Sequence, residues 1–174
     1  IKESDFLFKR DRIRKIIGDL SKRRLNKIIE VENIEYKKGD FKRPVDADES
    51  ELTFQSFDNT YWGGDDERYW FRAKFSIPEE FSSETVVMKL ETGKEGEWDA
   101  LNPQFLLFIN DELIQGLDVN HTEVVLERNA VIGNNYKFDF HAFAGMQAQP
   151  VRFRLRVCTL DEETERLIYD LNVP

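Results

Sequence analysis

Apolar and polar positions repeat every three to four residues up to about residue 28 and alternate with period two beyond it, so the chain divides into a helical arm and a body of strands. In the arm, Phe6, Ile13, Ile16, Ile17 and Leu20 fall on one side while Arg10, Arg12, Arg14 and Lys15 turn mostly outward. Ser4 or Asp5 is expected to cap the first turn, and Gly18 weakens the middle without ending the helix. A helix of this length is not stable alone in water, so its apolar stripe is expected to pack on the body or on polypeptide beyond this chain.

The period-two pattern predicts strands over 29–36, 51–57, 69–77, 85–92, 104–109, 112–115, 123–127, 136–143 and 151–159. Two are clearest. Tyr69, Phe71, Ala73, Phe75 and Ile77 alternate with Trp70, Arg72, Lys74 and Ser76, and Val151, Phe153, Leu155 and Val157 alternate with Arg152, Arg154 and Arg156. Short strands separated by turn signals, with no helices between them, imply two packed antiparallel sheets, an all-β jelly-roll sandwich. Asn110-Asp111 predicts a two-residue hairpin turn, because both residues tolerate positive φ. Residues 39–50 read as a charged loop around Pro44. Thr159-Leu160-Asp161-Glu162 has capping-box spacing and opens a short helix with Leu160, Thr164, Leu167, Ile168 and Leu171 on one side. The expected organisation is an arm over 1–28, a sandwich over 29–159 and a connector over 160–174.

Composition changes this picture in three ways. With 174 residues, 40% hydrophobic and 34% charged, the chain is sized for one ordinary globular domain, with no run long and apolar enough for a membrane span. The net charge of −9 is uneven: residues 1–43 carry an excess of six positive charges and the rest an excess of fifteen negative ones. The basic segment is therefore expected to pack on the acidic body or on an acidic partner; nucleic acid is not expected, since the body repels phosphates and no aromatics interleave the basic residues. The single cysteine, Cys158, fits a reducing compartment, and the cytoplasm is the expected location. Because the chain opens on Ile1 rather than Met and closes on Pro174, it is expected to be a piece cut from a longer polypeptide.

Catalytic motifs are missing. His121, His141 and Cys158 do not have zinc-ligand spacing, Gly93 and Gly96 lack the following Lys-Ser/Thr of a phosphate loop, and no serine sits in a nucleophile elbow. Glu95, Glu97 and Asp99, or Asp65 and Asp66, offer carboxylates in pairs, as a glycosidase needs about 5 to 10 Å apart. Acid-rich loops are more often simply solvated. Asn120-His121-Thr122 matches a glycosylation sequon, without meaning in a cytoplasmic protein.

The segments YWFRAKFSIPEE (69–80), EGEWDALNPQFLLFIN (95–110) and QGLDVNH (115–121), read with Tyr61-Trp62-Gly63-Gly64, resemble the non-catalytic N-terminal domain of the α-mannosidases of glycoside hydrolase family 38. The resemblance spans roughly residues 61–145. It implies a galactose-binding-like sandwich and a catalytic domain in the same polypeptide as partner. That domain would hold the acid pair and the zinc of a retaining α-mannosidase, and mannosides are the expected substrates.

Two polar loops flank the hairpin, Trp98, Asp99 and Asn102 on one side and Asp118, Asn120 and His121 on the other. Two readings of the second group stand: hydrogen bonding to sugar hydroxyls or a neighbouring domain, or satisfying the turn's own backbone. Trp62, beside two glycines, reads as a loop-exposed ring for sugar or interdomain contact. Trp70 is expected under the helical arm, and His141, alternating with phenylalanines in its strand, reads as structural.

Overall fold

The computed structural model describes residues 3–58, 61–97, 101–146 and 149–173. In order, the elements are α1 (Glu3–Ser21), β1 (Leu25–Glu30), β2 (Glu35–Lys38), α2 (Pro44–Glu49), β3 (Gln55–Ser56), β4 (Tyr61–Trp62), β5 (Arg68–Ser76), β6 (Thr85–Glu91), β7 (Gln104–Ile109), β8 (Glu112–Leu117), β9 (Glu123–Glu127), β10 (Asn135–Phe143), β11 (Val151–Arg152), β12 (Arg154–Leu160) and α3 (Glu162–Asn172). The strands form a four-stranded sheet, β1-β12-β6-β9, and a six-stranded sheet, β3-β2-β5-β10-β7-β8, with β11 and β4 paired beside them. Every pairing is antiparallel, and the chain passes between the two large sheets after β1, β5, β6, β8 and β9 and returns through β11 after β10, the jelly-roll way of wrapping a sandwich.

Alternation decides which side chains meet between the sheets. Phe71 and Ala73 of β5, Phe105 and Leu107 of β7, and Phe138, Phe140 and Ala142 of β10 face Val86, Met88 and Leu90 of β6 and Leu155 and Val157 of β12. Phe153, where β11 hands over to β12, stacks on Phe71 with centroids 3.9 Å apart and meets Phe140 edge to face at 5.2 Å.

A second core lies on the outer face of the six-stranded sheet, where Trp70 and Phe108 pack with Ala47, Phe41 and Phe54. The cover over Trp70 is the segment carrying α2, not the N-terminal arm. Residues 39–50, read as a loop, contain this helix: Pro44 sits at its first turn, where a missing N–H costs nothing, and Pro44 and Ala47 are buried. Beneath it, the Trp70 indole and Arg72 Nε both donate to Asp139 Oδ1 at 2.7 Å, and Arg72 Nη1 donates to Asp48 on α2 at 2.5 Å. Asp139 is fully buried. Asp40 fastens the start of the same segment by accepting from His141 Nε2 at 2.9 Å.

Other boundaries move for local reasons. The strand expected over 29–36 is two strands in different sheets, because Asn33 at φ 56° turns the chain between them. Of 51–57 only Gln55 and Ser56 pair with β2, while Phe54 turns outward beneath Lys37 and Arg72. Asp161, not Thr159, caps α3 by accepting from the Thr164 amide at 3.0 Å; Thr159 is still in β12. Ser4 and Asp5 lie within α1, which begins at Glu3. The two-residue turn is as expected, with φ 50° at Asn110 and 72° at Asp111.

Several carboxylates are held below their ordinary range. Arg154 does this for Glu30, Lys42 and His141 for Asp40, and Arg72 for Asp48; for Glu123, burial pushes upward but Arg24 outweighs it. The unfolded chain therefore takes up protons first, so this part of the stability is complete above the unfolded carboxylate range and is lost as pH falls through the folded values. Urea midpoints should hold from pH 7 to about 5 and fall steadily below about 4.5. A midpoint that does not change down to about pH 3 would show that these pairs do not contribute.

Candidate functional site

The site is a pole of the sandwich, fixed by strand register. Arg68 at the start of β5 pairs with Phe143 at the end of β10, Phe143 pairs with Gln104 at the start of β7, and Phe105 pairs with Leu117 at the end of β8. The loops 63–67, 101–103, 118–121 and 144–146 consequently gather at one end. The loops 63–67, 101–103 and 144–146 also touch: Asp66 N donates to Gly145 O at 2.8 Å, Ala144 N donates to Glu67 O at 2.9 Å, and Asn102 lies against Gly145. Gly145 has φ 113°, and a Cβ there would sit 2.7 Å from the Asn102 side chain. Gly145→Ala is therefore expected to cost about 1–3 kcal/mol and to lower the melting temperature, with the melt of a control Gly96→Ala as reference; equal melts would mean that the loops do not interlock as described.

Asp118 organises its own loop. Its Oδ1 accepts from the amides of Asn120 and His121, each at 2.8 Å, and His121 Nδ1 lies 3.0 Å away. Burial pushes the Asp118 carboxyl upward, but the two amides and the imidazole outweigh it and hold the group below the usual carboxylate range. Asn120 and His121 themselves face solvent.

Beside this loop, on the outer face of the six-stranded sheet, an open cleft of about 490 Å³ is lined by Gln104, Leu106, Gly116, Asp118, His141 and Phe143. Its floor is held from the side by the neighbouring strand β5: the His141 ring stacks on Trp70 at 6.1 Å, and the Arg68 guanidinium lies 4.4 Å from the Phe143 ring centre. The cleft offers an amide, an imidazole and a carboxylate above apolar side chains, which suits holding a polar ring by hydrogen bonds and contact. Gln104 and Phe143 are not singled out from sequence, and His141 reads there as structural. Their signal is parity, since each sits out of phase with the inward-facing Phe105, Phe140 and Ala142.

Among the expected site residues, Asn102 and Asp118 stand at the same end of the hairpin, with Asn120 and His121 following Asp118. Trp98 and Asp99 lie outside the described residues. Trp62 is not exposed: it is 3% accessible and its ring packs on Tyr69, Phe71 and Phe105, because β4 pairs with β11 over the core rather than looping out. Of the acid clusters, Glu95 closes its own turn by accepting from Thr92 Oγ1 at 2.8 Å and the Gly93 amide at 3.0 Å, and Asp66 pairs with Arg68 at 2.8 Å. Among the described residues, no group of three or more His, Cys, Asp or Glu side chains could hold a metal ion, and no helix is long and apolar enough to cross a membrane.

No protein-family model and no curated protein matches this sequence. Similar solved structures include a β-glucuronidase from an uncultured Clostridium species, at 12% identity and TM-score 0.48, and a Ruminococcus gnavus β-glucuronidase at 8% identity and TM-score 0.47. Each match covers 78% of this chain. This chain in turn spans 29% and 28% of the length of theirs.

Proposed function

We propose that this chain is a non-catalytic β-sandwich domain of a glycoside hydrolase, an α-mannosidase by its sequence resemblance. It packs on the catalytic domain of the same polypeptide and walls one side of the substrate cleft with its loop pole. The observation that carries the reading is the convergence of Asn102 and Asp118, from two of the segments that bear the resemblance, on one end of a rigid hairpin. The carboxylate there is held by its own loop's amides, which fits a bracing role better than acid or base chemistry. Zinc, which the resemblance implies, belongs on this reading to the catalytic domain.

The second reading, a carbohydrate-binding module acting alone, is favoured by the cleft between Gln104, His141 and Phe143. Calorimetry with methyl α-mannoside and mannobiose separates the two. The bracing reading expects no binding heat at about 10 mM sugar. Saturable heat that disappears in His141→Ala and Phe143→Ala would replace it with the binding module. Hydrolysis of an aryl α-mannoside by the purified chain would overturn both.

A further inference from the structure

The cleft beside Gln104 does not end at Leu106. Beyond that side chain a second open hollow, of about 640 Å³, is floored by Leu106, Phe108 and Leu113 and walled by Pro44 and Val45 of α2. Register makes the two continuous, since Gln104, Leu106 and Phe108 share the outward parity of β7, and Leu106 and Phe108 stand opposite Gly116 and Leu113 of β8. Together they form a trough along the outer face of β7 and β8, from the loop pole towards the Asn110-Asp111 turn, about 20 Å for the six residues of β7. The floor is wet: Leu106 is 41% exposed and Leu113 58%.

Charge selects the class of ligand. Lys42 pairs with Asp40, Arg43 with Asp46, Asp48 with Arg72 and Asp111 with Lys137, while Asp118 is held by the amides and imidazole of its own loop. Each carboxylate, lysine and arginine lining the trough already has its partner within the chain, so an ionic ligand meets no free counter-charge. Hydrogen-bonding capacity is left over. Gln104 Nε2 donates to Leu101 O at 3.2 Å and His141 Nε2 to Asp40, but among the described residues Gln104 Oε1 and His141 Nδ1 have no partner. Unengaged polar groups above apolar side chains suit a neutral, hydroxylated chain.

We propose that this trough is a distal subsite for the part of a neutral oligosaccharide that lies beyond the bond being cleaved; the inference rests on the bracing function proposed above. A single open wall holds sugar weakly by itself, in keeping with no binding heat from short mannosides. Once the catalytic domain grips one end of the chain, the remainder meets the trough at high effective concentration. Contacts this far from the reacting bond act alike on bound substrate and transition state, so the trough sets the preference for long over short substrates through KM.

Steady-state kinetics of the native polypeptide on an aryl α-mannoside and on a linear α-mannopentaose test this. Gly116→Leu fills the trough from its floor: the glycine is outside the left-handed region, and a Cβ there would meet only the Phe105 carbonyl oxygen, at 3.8 Å. Leu113→Asp sets an unpaired charge at the far end. Both positions are exposed, and both variants should keep the circular dichroism spectrum of the unaltered protein. Each should lower the ratio of kcat/KM for the pentaose to kcat/KM for the aryl mannoside at least about fivefold, through KM. An unchanged ratio in either variant, or a fall carried by kcat, overturns the distal subsite and leaves the bracing function standing. Failure of the unaltered polypeptide to cleave the aryl α-mannoside ends the bracing function, and this proposal with it.

Discussion

Asp139→Ala should be the most damaging change of charge in this chain, lowering stability by about 3–5 kcal/mol with an unchanged urea m-value. Asp139 is fully buried at the centre of the outer face of the six-stranded sheet, where one oxygen accepts from both the Trp70 indole and Arg72. Removing it leaves the guanidinium with Asp48 alone and leaves a buried indole N–H without an acceptor, and each orphaned group carries its own desolvation cost. Removing both charged partners is a different experiment. Asp139→Leu with Arg72→Met should recover the part of the loss that belongs to the stranded guanidinium, since an apolar pair strands no charge there, while the Trp70 indole still lacks its acceptor. A single substitution costing under about 1 kcal/mol would mean that α2 and its strap sit loosely on the sheet.

Phe153→Ala should cost a similar amount, about 3–5 kcal/mol, by a different route. Its ring stacks on Phe71 at 3.9 Å, meets Phe140 at 5.2 Å, and has Phe105 and Phe57 at 6.0 and 6.2 Å, so truncation empties the junction of both sheets and the β4–β11 pair. The neighbours are fixed in separate strands and cannot collapse into the space. Phe153→Leu should keep most of the stability and lose chiefly the ring geometry, worth about 1 kcal/mol. A cost under about 1.5 kcal/mol for the alanine variant in chemical denaturation would contradict this reading of the core.

What the sequence told of this fold follows from which rules are local. Strands over 85–92, 104–109, 123–127 and 136–143 announce themselves as short runs rich in β-branched and aromatic residues between turn signals, although residues on both faces of β6, β7 and β10 are buried. The break at Val31–Ile34 is also written there, as apolar positions 29 and 31 change parity to 34 and 36, but it makes sense only once two sheets are known. Trp70, Arg72 and Asp139 are harder. On the polar parity of their strands they read as a wet face, and only the cover from α2, brought in from residues 44–49, turns that face into a second core. Trp62 fails the other way, since two following glycines suggest a loop while pairing with Val151 turns its ring inward. At the site, the common end of Asn102 and Asp118 was legible from the hairpin, because a two-residue turn fixes register. The cleft beside them depends on β10 lying next to β7, a pairing of residues 29 to 39 positions apart that no local pattern announces.

The claim that these residues brace a cleft whose bond-breaking groups lie in the same polypeptide is tested most directly on the native protein. An antibody raised to this chain should precipitate, from the cells that make it, a polypeptide much larger than 20.6 kDa that hydrolyses an aryl α-mannoside on the beads. A native polypeptide close to 20.6 kDa, or a larger one without glycoside hydrolase activity, would contradict it.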